Sequence, residues 1–212
     1  MLSADEVSTI QIFGKNEHGF TLAALADDSS CLIVDVTLNM QVIEKMNESP
    51  YACKVIAVLE TSPEDPKIAT KVAVSTPLDD ENCSPTLDFM TKFLDGVTHN
   101  KNFDGKKVFR AVAEALLDMR LRLPPIYNFR PKNILVDPNS LEVKIVVTQE
   151  LFTRESNILK LSRDDLLYIS PEELHGYGKS LTTPFWVLGC LLFEAKFGFN
   201  PFKTHLKTQV TE

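Results

Sequence analysis

The chain has 212 residues, of which 44% are hydrophobic and 24% charged, and its formal net charge is −7. This length can bury a sizeable core in one compact unit or in two small lobes, and the composition is ordinary for a globular domain. The acidic balance argues against a general nucleic-acid binder or membrane-surface binder, because both of those surfaces are themselves acidic.

The cysteines favour a reduced chain. Cys31, Cys53, Cys83 and Cys190 are widely spaced and form no CxxC pair. Cys53 and Cys190 lie in apolar runs, where a free thiol acts as a small hydrophobe. The pattern predicts an intracellular, cytoplasmic location rather than a disulfide framework. No signal-peptide pattern is present, and the longest apolar run, FWVLGCLLF, is too short to span a bilayer.

The first third of the chain predicts a β-rich lobe with one helix. Apolar alternation between turn-forming segments indicates strands at 8–13, 20–26, 31–36, 53–59 and 68–75. Apolar residues at helical spacing predict a helix from Met40 to Met46, ending near Ser49-Pro50. The segment STPLDDENCSP combines two prolines with several turn formers and predicts a hinge, which places the lobes at 1–80 and 81–212.

The second lobe is predicted to be mainly helical. Its expected elements are a short helix from Leu87 to Leu94, a long amphipathic helix at 103–123, a strand pair at 134–136 and 143–147, and a loop-like stretch at 149–170. The segment from Phe185 to Lys196 is apolar on all sides and predicts a buried helix with Pro184 in its first turn. The fold class is therefore α+β.

Several fragments of the second lobe resemble motifs of the eukaryotic protein kinase family, in the family's order and with similar gaps. The fragments are IYNFRPKN at 126–133 for the catalytic loop, Val147-Thr148-Gln149 for D-F-G, Ser170-Pro171-Glu172 for A-P-E, PFWVLG at 184–189 for D-x-W-x-x-G, and GFNPF at 198–202 for the turn that follows. The resemblance implies one bilobal kinase-like domain with a β-rich N-lobe and a truncated, mainly helical C-lobe.

Two positions to which the resemblance assigns catalysis carry unsuitable side chains. Asn128 stands where the family has its catalytic base, and an amide does not accept a proton at neutral pH, which costs roughly 10²–10⁴ in rate. Asn128 is expected instead to maintain the backbone hydrogen bonds of the loop. Val147 stands where the family has its main metal-binding carboxylate, and its side chain offers no oxygen to Mg²⁺. No catalytic residue is expected.

The segment from Gly14 to Gly19 resembles a glycine-rich phosphate loop whose middle glycine is replaced by Asn16, although two glycines flanking polar residues are more typical of a hairpin turn. No Lys or Arg lies between Asn16 and Glu44. A third strand within this span therefore cannot supply the lysine that pairs with nucleotide phosphates in the family.

Three further residues are candidates for a nucleotide or anion site by the resemblance. Arg130 replaces a lysine that reaches the transferred phosphate, and a solvated or salt-bridged arginine is the alternative. Asn133 matches the second metal ligand but is a weak one alone, and capping of the loop through hydrogen bonds is the preferred interpretation. Leu135 is expected to pack beneath the nucleotide site.

Other departures concern regulation and the end of the chain. Tyr127 replaces the arginine that receives a phosphorylated residue in the family, so an ordinary phosphorylation switch is not expected. Ile126 and Thr148 replace spine residues, and Pro184 replaces an aspartate that anchors the loop.

Glu172 normally pairs with an arginine located beyond residue 212. The chain is therefore interpreted as a fragment or shortened form, or as one covered by another chain, and it should expose apolar area.

These observations predict a pseudokinase that acts as a scaffold or allosteric interaction module, with no cofactor and no metal. Its expected partner is a protein, either an active kinase or a chain that covers the exposed C-lobe face, and neither a nucleic acid nor a membrane. The alternative is a divergent kinase with weak ATP binding or phosphoryl transfer, using Mg-ATP and displaced acids such as Asp137 or Glu150. A product of gene decay is a third possibility.

Overall fold

The computed structural model describes residues 10–15, 20–24, 30–75, 88–89, 105–137, 140–155 and 161–203. These residues form a lobe built on an antiparallel sheet and a second lobe of helices with a small sheet. The α+β class and the bilobal architecture expected from the sequence are confirmed.

The first lobe is a five-stranded sheet with one helix packed against it. Its strands lie in the order β1-β2-β3-β5-β4. Their bounds are Gln11–Lys15 (β1), Thr21–Ala24 (β2), Ser30–Asn39 (β3), Val55–Thr61 (β4) and Ile68–Ser75 (β5). Helix α1 (Met40–Glu48) follows β3 without a loop, because the Asn39 side chain accepts a hydrogen bond from the Gln41 amide and caps the helix at its first turn.

The second lobe contains the remaining elements. Strands β6 (Asp88–Phe89), β7 (Ile134–Val136) and β8 (Val143–Ile145) form an antiparallel sheet in that order. The helices are α2 (Gly105–Arg122), α3 (Arg163–Leu166), α4 (Pro171–Leu174) and α5 (Thr183–Phe197), and α2 packs against α5. Two 3-10 turns, Pro131–Asn133 and Gln149–Phe152, lie on either side of the β7–β8 pair.

One hydrophobic core runs through both lobes. It joins the inner face of β3, Ile43 and Met46 of α1, the buried face of α2 and the β7–β8 pair. The buried residues of α2 follow the stripe that the amphipathic pattern predicted, and they include Val108, Val112 and Met119. The core is therefore continuous beneath the junction of the two lobes.

The segment Ser49–Cys53 fixes the first lobe to the second. The Cys53 amide donates to the Ile145 carbonyl at 2.9 Å, and the Ile145 amide donates to the Tyr51 carbonyl at 2.7 Å. The Ser49 hydroxyl donates to Asp118 at 2.6 Å, and Asp118 also accepts from Arg122 at 2.8 Å. Backbone and side-chain bonds together leave little freedom for the lobes to separate at this point.

The predicted elements agree with the structure at most positions. The strand at 68–75 and the strand at 134–136 have the predicted bounds, and the helices at 40–46 and 103–123 differ at their ends by no more than two residues. The loop-like stretch at 149–170 contains a 3-10 turn and the short helix α3. The predicted hinge at 75–85 lies almost wholly outside the described residues, as does the boundary between 80 and 81.

One prediction about the second lobe is wrong. The helix predicted from Leu87 to Leu94 is contradicted at Asp88–Phe89, which pairs with β7, because this short apolar run gains ladder hydrogen bonds there. The remainder of that predicted helix lies outside the described residues. The helix predicted at 185–196 is present as α5, and the side against which no described element packs is exposed, in agreement with the expectation that the chain exposes apolar area.

Three cysteines are free and buried, namely Cys31, Cys53 and Cys190, while Cys83 lies outside the described residues. Burial raises the pKa of the Cys53 thiol to about 12 and that of Cys190 to about 11. Both thiols therefore act as small hydrophobic side chains. None of the described helices combines the length and the apolar character needed to cross a membrane.

The contacts at the lobe junction predict that Asp118 contributes to the free energy of unfolding and that acid removes this contribution. Replacing Asp118 by Ala leaves Ser49 and Arg122 without their acceptor and should lower the free energy of unfolding by about 1–3 kcal/mol. Burial opposes ionisation, but the hydrogen bonds from Ser49 and Arg122 outweigh it and hold the pKa of the Asp118 carboxyl below its ordinary value. Urea unfolding measures the difference.

Because the folded-state pKa of Asp118 is depressed, this contribution is present above the unfolded-state pKa and is lost as the pH falls through the folded-state value. The gap between the natural chain and Asp118→Ala should therefore narrow below about pH 4. Glu44→Ala, on the exposed side of α1, is the control and should change stability little at any pH. A gap that stays constant with pH would contradict this account.

Candidate functional site

The loop at 126–133 is held by its backbone. The amides of Tyr127 and Asn128 both donate to the carbonyl of Leu151, at 2.8 and 3.0 Å. Leu151 is fully buried and belongs to the 3-10 turn after β8. The Asn128 Oδ1 atom is buried and makes no hydrogen bond with a described residue. The loop therefore takes its shape from main-chain contacts rather than from the Asn128 side chain.

Asn133 stabilises the same loop from its other end. Its Oδ1 accepts from the Arg130 amide at 3.1 Å, and its Nδ2 donates to the Val146 carbonyl at 3.3 Å. The Asn133 carbonyl also accepts from the Val146 amide at 2.8 Å. Because the one atom of this side chain that could bind a metal is engaged by Arg130, the geometry favours the capping role over the metal-ligand role.

Arg130 forms a buried ion pair. Its Nη2 donates to Glu173 Oε1 at 3.2 Å, and the two side chains are only 2% and 0% exposed. The second oxygen of Glu173 accepts from the Ser170 amide at 3.3 Å, and the Glu173 amide donates to the Ser170 hydroxyl, which closes a capping box at the start of α4. The loop is thereby connected to α4, and the guanidinium faces a carboxylate of its own chain.

A second buried cation lies near this pair. Lys179 is 3% exposed, and its ammonium donates to the Glu155 carbonyl at 2.7 Å. Burial lowers the pKa of Lys179, while Glu173 acts in the opposite direction and the neighbouring Arg130 lowers it further. Glu150 also raises the pKa of Lys179, but Glu173 is the carboxylate that pairs directly with Arg130, and its loss would leave that cation buried without its partner.

The segment after β8 connects the lobes. Val147 is 1% exposed within the core, and Gln149 Oε1 accepts from the Thr37 amide at 2.8 Å. The pairing of β3 with β5 is irregular between Asp35 and Leu38, which frees the Thr37 amide for this bond. At the three positions that resemble D-F-G, Val147 lies in the core, Thr148 is buried, and Gln149 forms a hydrogen bond between the lobes.

A cleft of about 390 Å³ lies between the lobes. Its polar walls carry three lysines and two acids, which are Lys15, Lys71, Lys132, Asp35 and Glu150. Lys132 donates to Glu150 at 2.7 Å, and Lys71 donates to Glu60 at 2.7 Å. Two of the three ammonium groups are therefore already paired with carboxylates, and a bound anion would have to compete with them.

The third strand carries no cation. Strand β3 lies within the span between Asn16 and Glu44 that lacks Lys and Arg. As the sequence predicted, this strand therefore supplies neither a lysine nor an arginine. Its core-facing side chains include Val34 and Val36, and Asp35 faces the cleft opposite Lys71. Helix α1 brings no carboxylate to the cleft among the lining residues, since Glu44 is exposed and Glu48 contacts Arg122 at 3.3 Å.

The other candidates from the sequence are dispersed. Gly14 lies in β1 with φ of 144°, at an irregularity in the pairing with β2, and Gly19 is outside the described residues. Leu135 is buried in β7 and is not among the side chains that line the cleft. Asp137 follows β7 and accepts from the Ser140 hydroxyl at 2.7 Å, as expected of a turn former.

Glu172 requires a correction. The family resemblance implies a buried carboxylate at Glu172 whose arginine partner lies elsewhere, but Glu172 is exposed and the next residue, Glu173, is the buried one. The capping box with Ser170 fixes the first turn of α4 so that Glu173 points inward to Arg130. The spacing S-x-x-E at 170–173 was the available signal, and it was not used.

Sequence reasoning also missed the cleft lysines and Gln149. Lys71 could have been found as a polar residue in the predicted strand at 68–75, and Lys132 as a charged residue within the loop. Their approach to one cleft depends on the curvature of the sheet and on the position of the second lobe, which no local pattern encodes.

Comparison with known proteins supports the fold. No protein-family model matches the chain. Among curated proteins, a 36-residue stretch that makes up 17% of the chain is 47% identical to Flippase kinase 1 of Saccharomyces cerevisiae and spans 4% of that protein. A match of this length concerns one segment and leaves the activity of the chain open.

Solved structures of protein kinases match most of the chain. The kinase domain of maize sucrose-induced receptor kinase 1, bound to AMP-PNP, aligns with a TM-score of 0.56 and 15% identity over 92% of this chain and 72% of its own. The kinase PK-1 of Cydia pomonella granulovirus aligns with a TM-score of 0.59 and 14% identity over 93% and 72%. Rad53 in complex with AMP-PNP gives 0.59 and 16% over 91% and 49%.

The chain therefore has a protein-kinase-like fold, as the resemblance of its motifs implied. It spans 72% of the length of two of these structures and about half of the third. At 14–16% identity the likeness concerns the fold alone.

The ion pair predicts a large difference between two adjacent glutamates. Glu173→Ala leaves Arg130 buried without its carboxylate and should lower the free energy of unfolding by about 3–5 kcal/mol. Glu172→Ala is the matched control, one residue away and exposed, and should change it by no more than about 0.5 kcal/mol. Urea unfolding of both variants makes the test. Equal effects would show that the buried pair does not hold the loop to α4.

The contact between the lobes predicts a local change in amide exchange. Gln149→Ala removes the acceptor of the Thr37 amide, which should then exchange with solvent about 2–10 times faster, as expected for the loss of one ordinary hydrogen bond. Gln41→Ala, an exposed glutamine on α1, should leave the Thr37 rate unchanged. Exchange followed by NMR measures both, and an unaltered Thr37 rate in Gln149→Ala would exclude the contact.

Proposed function

We propose that the chain is a catalytically inactive kinase-like domain that acts as a scaffold or allosteric module for a protein partner. The observation that carries the proposal is the segment after β8, where Val147 is in the core and Gln149 is bonded to β3. A metal-bound triphosphate needs hard oxygen ligands on this segment and a cation on the third strand. At the first position of this segment Val147 offers no side-chain oxygen to a metal, and the third strand carries no Lys or Arg.

The loop geometry supports the same proposal. The described contacts of Asn128 and Asn133 maintain the loop, and the Arg130 guanidinium is occupied by Glu173. A loop that has this shape without the catalytic groups suits a domain whose surfaces contact other proteins. The function requires no cofactor and no metal, and it involves neither nucleic acid nor membrane. We place it inside the cell, in the cytoplasm.

One observation favours the alternative of a divergent kinase with residual ATP binding. The cleft is lined by Lys15, Lys71 and Lys132, and three ammonium groups can attract phosphates without a metal ion. Glu150 also lines the cleft and would be the displaced acid. Its ion pair with Lys132 has to break before either group contacts a ligand.

Thermal unfolding with ATP, with and without Mg²⁺, tests the proposal. A ligand present at about 100 times its Kd stabilises a protein by about 2.7 kcal/mol, which raises the Tm by several degrees. We expect no Mg²⁺-dependent rise, and no phosphate transfer to the chain itself or to a generic protein substrate. A Mg²⁺-dependent rise of several degrees, or transfer above a no-enzyme control, would overturn the proposal.

If ATP raises the Tm equally with and without Mg²⁺, the cleft binds phosphates but does not bind the metal that phosphoryl transfer requires. Lys71→Met and Lys132→Met should then reduce it, with Lys54→Met as the control outside the cleft lining.

A further inference from the structure

The turn after β8 brings a carboxylate to the inter-lobe cleft. Glu150 is the second residue of the 3-10 turn Gln149–Phe152, and it lines the cleft. Its Oε2 accepts from the Lys132 ammonium at 2.7 Å, and Lys132 belongs to the other 3-10 turn, Pro131–Asn133. Lys132 is therefore already engaged by a carboxylate of its own chain.

The backbone that carries Glu150 is fixed on both sides of it. On one side, the Gln149 side chain accepts from the Thr37 amide of the other lobe at 2.8 Å. On the other side, Leu151 is fully buried, and its carbonyl accepts from two amides of the loop at 126–133. An exposed ion pair usually contributes little because two long side chains must be ordered to form it. Here the main chain is ordered already, so the pair forms at a smaller entropic cost.

The other charged groups of the cleft are also balanced. Lys71 donates to Glu60 at 2.7 Å, and this hydrogen bond is the main cause of its raised pKa. Asp35, which pairs with Lys71 in the register of β3 with β5, raises that pKa further. Lys15 completes the three lysines that line the cleft. Among the described residues, three carboxylates thus offset these three lysines, and an incoming anion meets little net positive charge.

The nearest carboxylate matters more than the charge of the whole chain. The net charge of −7 repels anions in general, but charges more than about 8 Å away are largely screened at physiological ionic strength. Glu150 is in direct contact with the ammonium group that an anion would bind. A change at this one residue should therefore alter anion binding far more than the same change elsewhere on the surface.

We propose that Glu150 is an autoinhibitory ligand of the cleft, which occupies Lys132 in place of a phosphate-bearing anion. Neutralising or displacing this carboxylate opens an anion site at Lys132. The inference rests on the proposed inactive function and specifies how the cleft of that domain is kept closed to phosphates. It concerns anions without metal, whereas the proposed function fails on Mg²⁺-dependent binding or phosphate transfer, so the two can fail separately.

Titration of the full chain with inorganic tripolyphosphate, at low ionic strength and without divalent cations, tests the proposal. Glu150→Gln removes the competing charge and keeps the shape of the side chain. Calorimetry should show that this variant binds tripolyphosphate at least about five times more tightly than the natural chain. The Glu150 side chain is 60% exposed, so the variant should fold normally, which circular dichroism checks.

Glu155→Gln is the matched control. It changes the net charge equally, and Glu155 is exposed, five residues further along the chain and outside the cleft lining. Its Kd for tripolyphosphate should stay within about twofold of that of the natural chain, because a distant charge is screened. The comparison of these two variants separates a local effect from a general loss of negative charge.

A second substitution identifies the lysine that Glu150 occupies. In the Glu150→Gln chain, Lys132→Met should remove the gain in affinity. Lys54→Met, which removes the same charge from an exposed residue outside the cleft lining, should preserve it.

Two results would overturn the proposal. The first is equal affinity of Glu150→Gln and Glu155→Gln for tripolyphosphate, which includes the case in which neither binds it measurably. The second is a gain in Glu150→Gln that persists when Lys132 is replaced by Met, because the anion would then bind elsewhere.

Discussion

The buried ion pair between Arg130 and Glu173 is the contact on which the rest of the site depends. It connects the loop at 126–133 to α4, and both side chains are almost completely removed from solvent. Separating them would leave charges uncompensated in the interior, including that of nearby Lys179, which costs far more than the loss of an exposed pair. The loop position is therefore fixed by electrostatics and burial together, and the guanidinium is committed to the protein's own carboxylate.

With the loop fixed in this way, neighbouring groups also bind to one another. The carbonyl of Leu151 accepts from two loop amides, Gln149 binds the backbone of β3, and Lys132 binds Glu150. Each contact pairs a polar group of the loop or of the cleft lining with another group of the same chain. The architecture is that of a kinase-like domain, and these internal contacts fix the shape of the loop and of the junction between the lobes.

Whether an element could be predicted from the sequence depended on whether the interactions that fix it are local or join residues far apart in the chain. Helix α2 was predicted because its apolar stripe repeats over eighteen residues, and β5 because its alternation is bounded by clear turns. The helix predicted from Leu87 failed where a short apolar run was captured by pairing with β7. The buried carboxylate was assigned to Glu172 because motif resemblance outweighed the capping box that places Glu173 inward. The apolar composition of α5 predicted a helix that needs cover on every side, and its exposed side agrees with the expectation that the chain exposes apolar area.

The sequence by itself determined the α+β class, the kinase-like order of elements and the absence of a cation on the third strand, and it placed Asn128 and Val147 where the resemblance implies a base and a metal ligand. These are local properties, since they depend only on which residue occupies which position of a periodic element or motif. Only the tertiary structure decided that Arg130 meets Glu173, that Gln149 reaches Thr37, and that one side of α5 stays exposed. Those contacts join residues 43 and 112 positions apart, and their geometry follows from sheet curvature and lobe packing, which no short stretch of sequence specifies.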